Sequence, residues 1–330
     1  MKSEHLEVTP DARLTPFPFI VGCSRSGKSL LKAMLDAHPG MAVAMESHFV
    51  AGMAQRRRRY EGRHGFRREV FLRDLVAGSD LQPLGLGRDD VRLLADRGLL
   101  TDLPQAIREL FALYAGRRGK WRYGNRTGVH VMSMPWIASL LPEAKFLHVI
   151  RDGRDVALAL ARASFGPSTL VGASMRWRRR VRRGRADGEA LGPSRYREIR
   201  YEDLVTDPED VVRSVCEFIR LDYDPRMLRY HDHPQEIGGI DLDDPDYRDL
   251  RQRPTAGLQD WRKEMDEENL AVFNVVAGKT LERLGYPASG RPSRASTHLR
   301  ARARAWGSGA AHVGASALRR AARTLARRRS

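Results

Sequence analysis

The sequence predicts a three-layer α/β fold in which a central, mainly parallel sheet is flanked by helices. Three observations carry this. Phe17-Pro-Phe-Ile-Val-Gly22 is a short apolar run stopped by glycine, and a glycine-containing loop leads from it into a helical pattern. A second strand–turn–helix unit follows at Lys145–Ala163, and a third strand and helix at Tyr196–Arg220. Repeated units of this kind lay their strands side by side in parallel and cover both faces with helices.

The elements follow in order. Lys28 to Ala37 sets Leu30, Leu31, Met34 and Leu35 at helical spacing, and His38-Pro39-Gly40 ends that helix. From about Phe66 to Gly116 the pattern is polar and helical, with Asp102-Leu103-Pro104 as a helix start. Val129 to Leu141 reads as one helix, Lys145 to Ile150 as a buried strand, and Asp152 to Ala163 as the helix after it. Tyr196 to Arg200 is a further strand and Pro208 to Arg220 its helix. Leu270 to Leu284 is an amphipathic helix ended by Gly285 and Pro287. Beyond Pro287 the composition turns to Arg, Ala, Ser and Gly. The expected organisation is therefore an N-terminal extension (1–16), one domain (17–287) and a basic tail (288–330).

Composition narrows the class. The 330 residues are 42% hydrophobic and 30% charged, as in an ordinary globular protein. No apolar run nears the roughly 20 residues of a membrane span. Met1 to Thr15 carries Glu4, Glu7 and Asp11 with no apolar stretch after a basic start, so export is not expected. Cys23 and Cys216 are too few for a disulfide framework or a zinc cluster, which fits a reducing, cytoplasmic setting. The net charge of +17 is uneven. Residues 291–330 hold eleven arginines and no acidic residue, whereas 1–290 hold 47 basic and 41 acidic residues, a net of +6. Charge alone names no partner, and nucleic acid is not expected to be one. In the tail, Leu318, Ala321, Ala322 and Leu325 share one helical face with arginines elsewhere. That stretch is either disordered or an amphipathic helix for an anionic membrane or partner.

Gly22-Cys-Ser-Arg-Ser-Gly27-Lys28-Ser29, between a strand and a helix, is a phosphate cradle. Its glycines let successive N–H groups turn inward, and the helix start adds partial positive charge. Arg25 and Lys28 supply full charges, and Ser24, Ser26 and Ser29 supply hydroxyls. Taken literally, the string also satisfies the nucleoside-triphosphate loop G-x-x-x-x-G-K-[ST]. A P-loop kinase or NTPase would set Lys28 on the β/γ-phosphates, Ser29 on magnesium, and a strand-end carboxylate such as Asp152 downstream. That reading leaves Arg151 and its surroundings unused.

Three segments together resemble the sulfotransferase family, whose donor is 3′-phosphoadenosine-5′-phosphosulfate (PAPS). They are Phe19-Ile-Val-Gly-Cys-Ser-Arg-Ser-Gly-Lys-Ser-Leu-Leu31, Ala33-Met-Leu-Asp-Ala-His-Pro39 and Val149-Ile-Arg-Asp-Gly-Arg-Asp-Val156. The second is similar to the segment after the donor loop in protein-tyrosine sulfotransferases and their bacterial relatives. Arg200-Tyr-Glu-Asp-Leu204, Asp207-Pro-Glu209 and Trp261-Arg262-Lys263 extend the resemblance over roughly 17–286. It implies a P-loop-type fold and transfer of a sulfonyl group from PAPS to an acceptor hydroxyl or amine, with no obligate metal expected.

The resemblance also implies residue roles. Ser24, Arg25, Ser26, Gly27, Lys28 and Ser29 would hold the 5′-phosphosulfate, with Arg25 at the bridging oxygen. Arg151 would hold the 3′-phosphate as a bidentate fork, and Arg253 and Thr255 would close over it. Arg126 would add charge near the transferring group. Glu46 falls where the tyrosine-sulfotransferase pattern has its base, with His48 and His130 as rival bases. Three positions depart from the pattern. Lys28 stands for a threonine or serine, Ala159 for a serine donor, and Arg126-Thr127-Gly128 for Lys-Thr-Pro or Lys-Thr-His. The runs Arg56–Arg59 and Arg176–Arg185 are solvated faces or attract an anionic acceptor. A carbohydrate, a lipid, a small metabolite and a peptide all remain open as acceptors.

Overall fold

The computed structural model describes residues 15–77, 81–234, 237–257 and 260–287; the N-terminal extension before residue 15 and the basic tail 288–330 lie outside the described residues. The chain divides into two units. The first holds the strand ending at Gly22, Gly27–Ile150 and Arg183–Ala256; the second holds Cys23–Ser26, Arg151–Arg182 and the chain from Gly257.

The strands are β1 (Phe17–Gly22), β2 (Met41–Met45), β3 (Glu61–Gly62), β4 (Gly65–Phe66), β5 (Arg122–Arg126), β6 (Ala144–Ile150) and β7 (Tyr196–Arg200). The early helices are α1 (Lys28–Asp36), α2 (Phe49–Gln55), α3 (Arg57–Tyr60), α4 (Arg68–Ala77), α5 (Arg88–Asp96), α6 (Leu103–Gly116) and α7 (Met134–Leu140). Then come α8 (Gly153–Arg162), α9 (Leu170–Leu191), α10 (Tyr201–Thr206), α11 (Pro208–Ile219), α12 (Trp261–Glu264) and α13 (Glu267–Arg283). Among the described residues no helix is long and apolar enough to cross a membrane.

Five strands form one parallel sheet in the order β2-β5-β1-β6-β7. The period-two alternation of each strand feeds two separate cores. Phe17, Phe19, Val21, Ala42, Ala44 and Phe146 face one cluster, built with α2 and α4 to α7. Ile20, Met41, Val43, Leu147, Val149 and Ile199 face the other, built with α1, α10 and α11. Both faces are thus buried, which is why β1, β2 and most of β6 are apolar rather than half polar. The chain moves from β1 outward to β2, returns through β5, and crosses β1 to reach β6. That reversal puts the topological switch point at the carboxyl end of β1, where open α/β sheets bind ligands.

Most predicted elements are present. The Asp102 side chain accepts from the Gln105 N–H at 2.7 Å, capping α6 as its sequence indicates. One reading needs correction, since Val129–Leu141 is not one helix. A 3-10 turn spans Gly128–Met132, and α7 restarts at Met134. Pro135 has no N–H and would clash with the carbonyl four residues back in a continuous helix. The sequence reading does not include the two-residue strands β3 and β4, nor two strands of the main sheet. β2 is short, and β5 is Arg-Tyr-Gly-Asn-Arg, a polar run that joins the sheet only because its neighbours bury it.

Arg108 on α6 forms a two-bonded fork with Glu143, at 2.7 and 3.1 Å, and both side chains are almost fully buried. Arg108→Ala strands the Glu143 carboxylate, so urea denaturation should show a loss of about 3–5 kcal/mol. Replacing both residues with apolar side chains of similar volume should cost much less.

Candidate active site

In the first unit, β1 stops at Gly22 with φ 140° and α1 begins after Gly27 with φ 91°. Gly27 sits in a left-handed conformation, and a Cβ there would lie 2.2 Å from the Tyr201 ring. Conformation and space both demand glycine. The start of α1 has no side-chain cap and no acidic residue in its first turn, which leaves its dipole and N–H groups favourable to an anion.

Strand register builds the rest. Met45 of β2 pairs with Arg126 of β5, so Glu46, the next residue, lies at the same sheet end as Arg126. The Glu46 N–H donates to the Arg126 carbonyl at 3.1 Å. One Arg126 guanidinium nitrogen donates to Ser29 Oγ at 2.7 Å, and the other pairs with the Glu46 carboxylate. His48 Nε2 lies 3.2 Å from the second Glu46 oxygen. Ser29, Arg126, Glu46 and His48 therefore form one polar chain across the carboxyl ends of the strands.

Burial alone would raise the Glu46 pKa. The His48 hydrogen bond, with the charges of Arg126, His48 and Lys28, outweighs it and holds the carboxyl below its ordinary value of 4.5. Glu46 is thus an ionised acceptor at neutral pH. His130, one of the rival bases, is fully buried, and burial first and His48 second push its pKa down to about 3. An enclosed neutral ring is badly placed to meet an acceptor, whereas Glu46 and His48 are both partly exposed.

Backbone conformation singles out Glu46 again, together with Arg25. Among the described residues, the non-glycine positions with positive φ are Arg25 (68°), Glu46 (47°) and Arg220 (53°). Such conformations cost roughly 1–3 kcal/mol and persist where surroundings enforce them, often at functional sites. Arg220 closes helix α11, an ordinary place for a left-handed residue.

In the second unit, Ser26 N–H and Oγ both donate to the Cys23 carbonyl, at 3.3 and 2.8 Å, folding the loop into a tight turn. Cys23 is buried, as its small size in a loop suggests. Arg180 Nη1 donates to Ser24 Oγ at 3.2 Å, and the Arg25 guanidinium lies 5.4 Å from the Phe165 ring centre. Arg176 donates to the Phe165 carbonyl at 3.3 Å. The sequence had assigned Arg176 and Arg180 to a charged run, and only the packing of α9 reveals their place beside the loop tip. No local pattern distinguishes them from Arg179, which is exposed.

Arg151 is nearly buried, its carbonyl accepting from Trp177 Nε1 at 3.3 Å and its guanidinium 3.6 Å from Asp155. The Asp152 carboxylate is held by Arg154 at 2.7 and 3.0 Å, and Arg154 stacks 3.7 Å from the Trp261 ring. Arg253 is exposed and joins none of the Ser29–Arg126–Glu46 chain. These contacts weigh against the nucleoside-triphosphate reading. Asp152, the strand-end carboxylate that reading needs, is committed to Arg154.

The sulfotransferase family model matches residues 16–225. The chain belongs to the sulfotransferase family. Protein-tyrosine sulfotransferase A of Caenorhabditis elegans is 25% identical over 289 residues, covering 85% of this chain and 70% of that protein. Protein-tyrosine sulfotransferase 2 of Gallus gallus is 25% identical over 249 residues, covering 73% and 60%. Among solved structures, the sulfotransferase domain of the Synechococcus PCC 7002 olefin synthase superposes with a TM-score of 0.59 at 23% identity, over 85% of this chain and 98% of that one. That likeness establishes the shared fold. Lys28 and Gly128, two positions where the sequence resemblance is imperfect, lie close together in this sulfotransferase. A Cβ at Gly128 would lie 2.6 Å from Lys28 Cε.

Proposed function

We propose that this sulfotransferase, a PAPS-dependent enzyme, uses Glu46 as the general base for an acceptor hydroxyl. The observation that carries the reading is Arg126, which binds Ser29 of the donor loop with one nitrogen and Glu46 with the other. It ties the base to the loop that receives the phosphosulfate.

Sulfonyl transfer spreads negative charge over the equatorial oxygens and the leaving phosphate, so positioning and positive charge supply most of the catalysis. The acceptor oxygen bonds to sulfur as the sulfur–oxygen bridge to the 5′-phosphate breaks. The acceptor proton passes to Glu46, and adenosine 3′,5′-bisphosphate (PAP) leaves. Arg25 neutralises the departing phosphate and Arg126 the transferring group. Ser24, Ser26, Gly27, Lys28 and Ser29 cradle the 5′ end, and Arg151 takes the 3′-phosphate. Arg253 is the weakest member of the set, because it stands exposed in the described structure. The relatives named as protein-tyrosine sulfotransferases support a phenolic hydroxyl among the acceptors to test first.

Thermal shift separates this reading from a kinase. PAP at a hundred times its Kd should stabilise the enzyme by about 2.7 kcal/mol, a rise of several degrees in Tm. Stabilisation by Mg-ATP but not by PAP would overturn the assignment.

A further inference from the structure

The run Arg176–Arg185 lies in helix α9, and the structure sorts its arginines by what they hold. Arg178 donates to the Val276 carbonyl, Arg183 pairs with Asp187 at 2.7 Å, and Arg185 pairs with Glu198 at 2.9 Å. Arg179 and Arg182 are exposed. Arg176 and Arg180, one turn apart, are half-buried and reach the loop after β1 instead. Arg180 Nη1 donates to Ser24 Oγ at 3.2 Å. Arg176 Nη1 donates to the carbonyl of Phe165, whose ring centre lies 5.4 Å from the Arg25 guanidinium. Three guanidinium groups thus surround the turn Cys23–Ser26, which is folded by the two bonds from Ser26 to the Cys23 carbonyl.

Among the described residues, neither Arg176 nor Arg180 is paired with a carboxylate. A guanidinium carries five N–H donors, and each of these two spends one of them on a protein acceptor. Burial first, and the Arg180 charge second, hold the Arg176 pKa below its ordinary value. Gathering like charges without a counter-charge is costly, and an anion between them removes the cost. The planar fork of arginine matches the oxygens of a tetrahedral oxyanion.

We propose that Arg176 and Arg180 form, with Arg25, an anion site at the loop tip that takes oxygens of the donor's 5′-phosphosulfate. This rests on the reading of PAPS as the donor, and it adds two residues of α9 to which the resemblance assigns no role. Arg180 touches the residue just before Arg25, the group assigned to the bridging oxygen, so the pair serves the donor rather than an anionic acceptor.

Calorimetry on the full chain with PAP and two half-ligands tests the site. Adenosine 5′-phosphate carries only the 5′ group, and adenosine 3′-phosphate only the 3′ group. Arg176→Gln and Arg180→Gln should each weaken PAP and adenosine 5′-phosphate about tenfold, as loss of a charge-assisted hydrogen bond does. Adenosine 3′-phosphate should bind nearly as before. Arg179→Gln removes the same charge from an exposed position of the same helix and should change none of the three. Equal weakening of both monophosphates, or a matching loss in Arg179→Gln, would reduce the effect to net charge and overturn the site. Unchanged PAP affinity with a raised KM for the acceptor would overturn it in favour of an acceptor site. If a Gln variant does not fold, the matching Lys variant keeps the charge without the fork and should still weaken 5′ binding more than 3′ binding. Equal weakening there also overturns the site. A wild-type enzyme that binds neither PAP nor adenosine 5′-phosphate would instead strike the PAPS reading itself.

Discussion

Glu46→Gln should lower kcat by about 10²–10⁴-fold, the usual contribution of a positioned general base, while PAP still binds. The amide keeps the size of the carboxylate and can still accept from Arg126, so the loop and β5 should stay in register. What it loses is the ability to take a proton. The pH profile sharpens the test. The Glu46 pKa lies below 4.5, since the His48 hydrogen bond and neighbouring positive charges outweigh burial. A depressed carboxylate is ionised and functional above its pKa, and its activity fades only as pH falls through it. The acid limb of kcat/KM should therefore lie below pH 4.5 in the wild type and vanish in Glu46→Gln. His48→Ala removes the bond that most favours the anion and should move that limb upward. If Glu46→Gln keeps more than a tenth of kcat and His48→Ala abolishes turnover, His48 is the base.

Arg25→Ala is expected to cost about 10²–10³-fold in kcat, the scale of losing one preorganised electrostatic stabiliser. Arg25→Lys should recover part of it by restoring charge without the planar fork. The decisive variant is Arg25→Gly. Arg25 has φ 68°, a conformation that glycine adopts without strain. Arg25→Gly should therefore be at least as stable in urea as the wild type, and more stable by about 0.5–1 kcal/mol if the strain is released. It should nevertheless be nearly inactive. Stability gained while activity is lost marks a residue held in strain for function. A Gly variant that is destabilised and retains its turnover would show that Arg25 serves the fold.

The sequence exposed elements whose signal is local. The apolar run Phe17–Gly22, the loop after it, and the strand and helix around Arg151 were all readable, because hydrophobic period and glycine placement act within a few residues. Strand β5 was hidden. Its residues are polar, and they become a strand only between β2 and β1, so Arg126 looked like part of a loop segment. Arg176 and Arg180 were hidden for the opposite reason. A helix carrying many arginines gives no sign of which ones face a loop far away in sequence.

By itself the sequence determined the sheet class, the glycine-bounded loop after β1 and the resemblance from which the family and its donor followed. These depend on backbone freedom and on short spacings that the chain carries wherever it folds. Only the tertiary structure decided how the candidate groups are arranged. The pairing of Met45 with Arg126 sets Glu46 against that arginine, and packing encloses His130 while Glu46 stays partly exposed. A Cβ at Gly128 would lie 2.6 Å from Lys28 Cε, so two positions far apart in the chain are neighbours in space. Partnerships of this kind join residues 80 to 100 positions apart. They exist only once strand register and packing have fixed the distances over which charge and steric contact act.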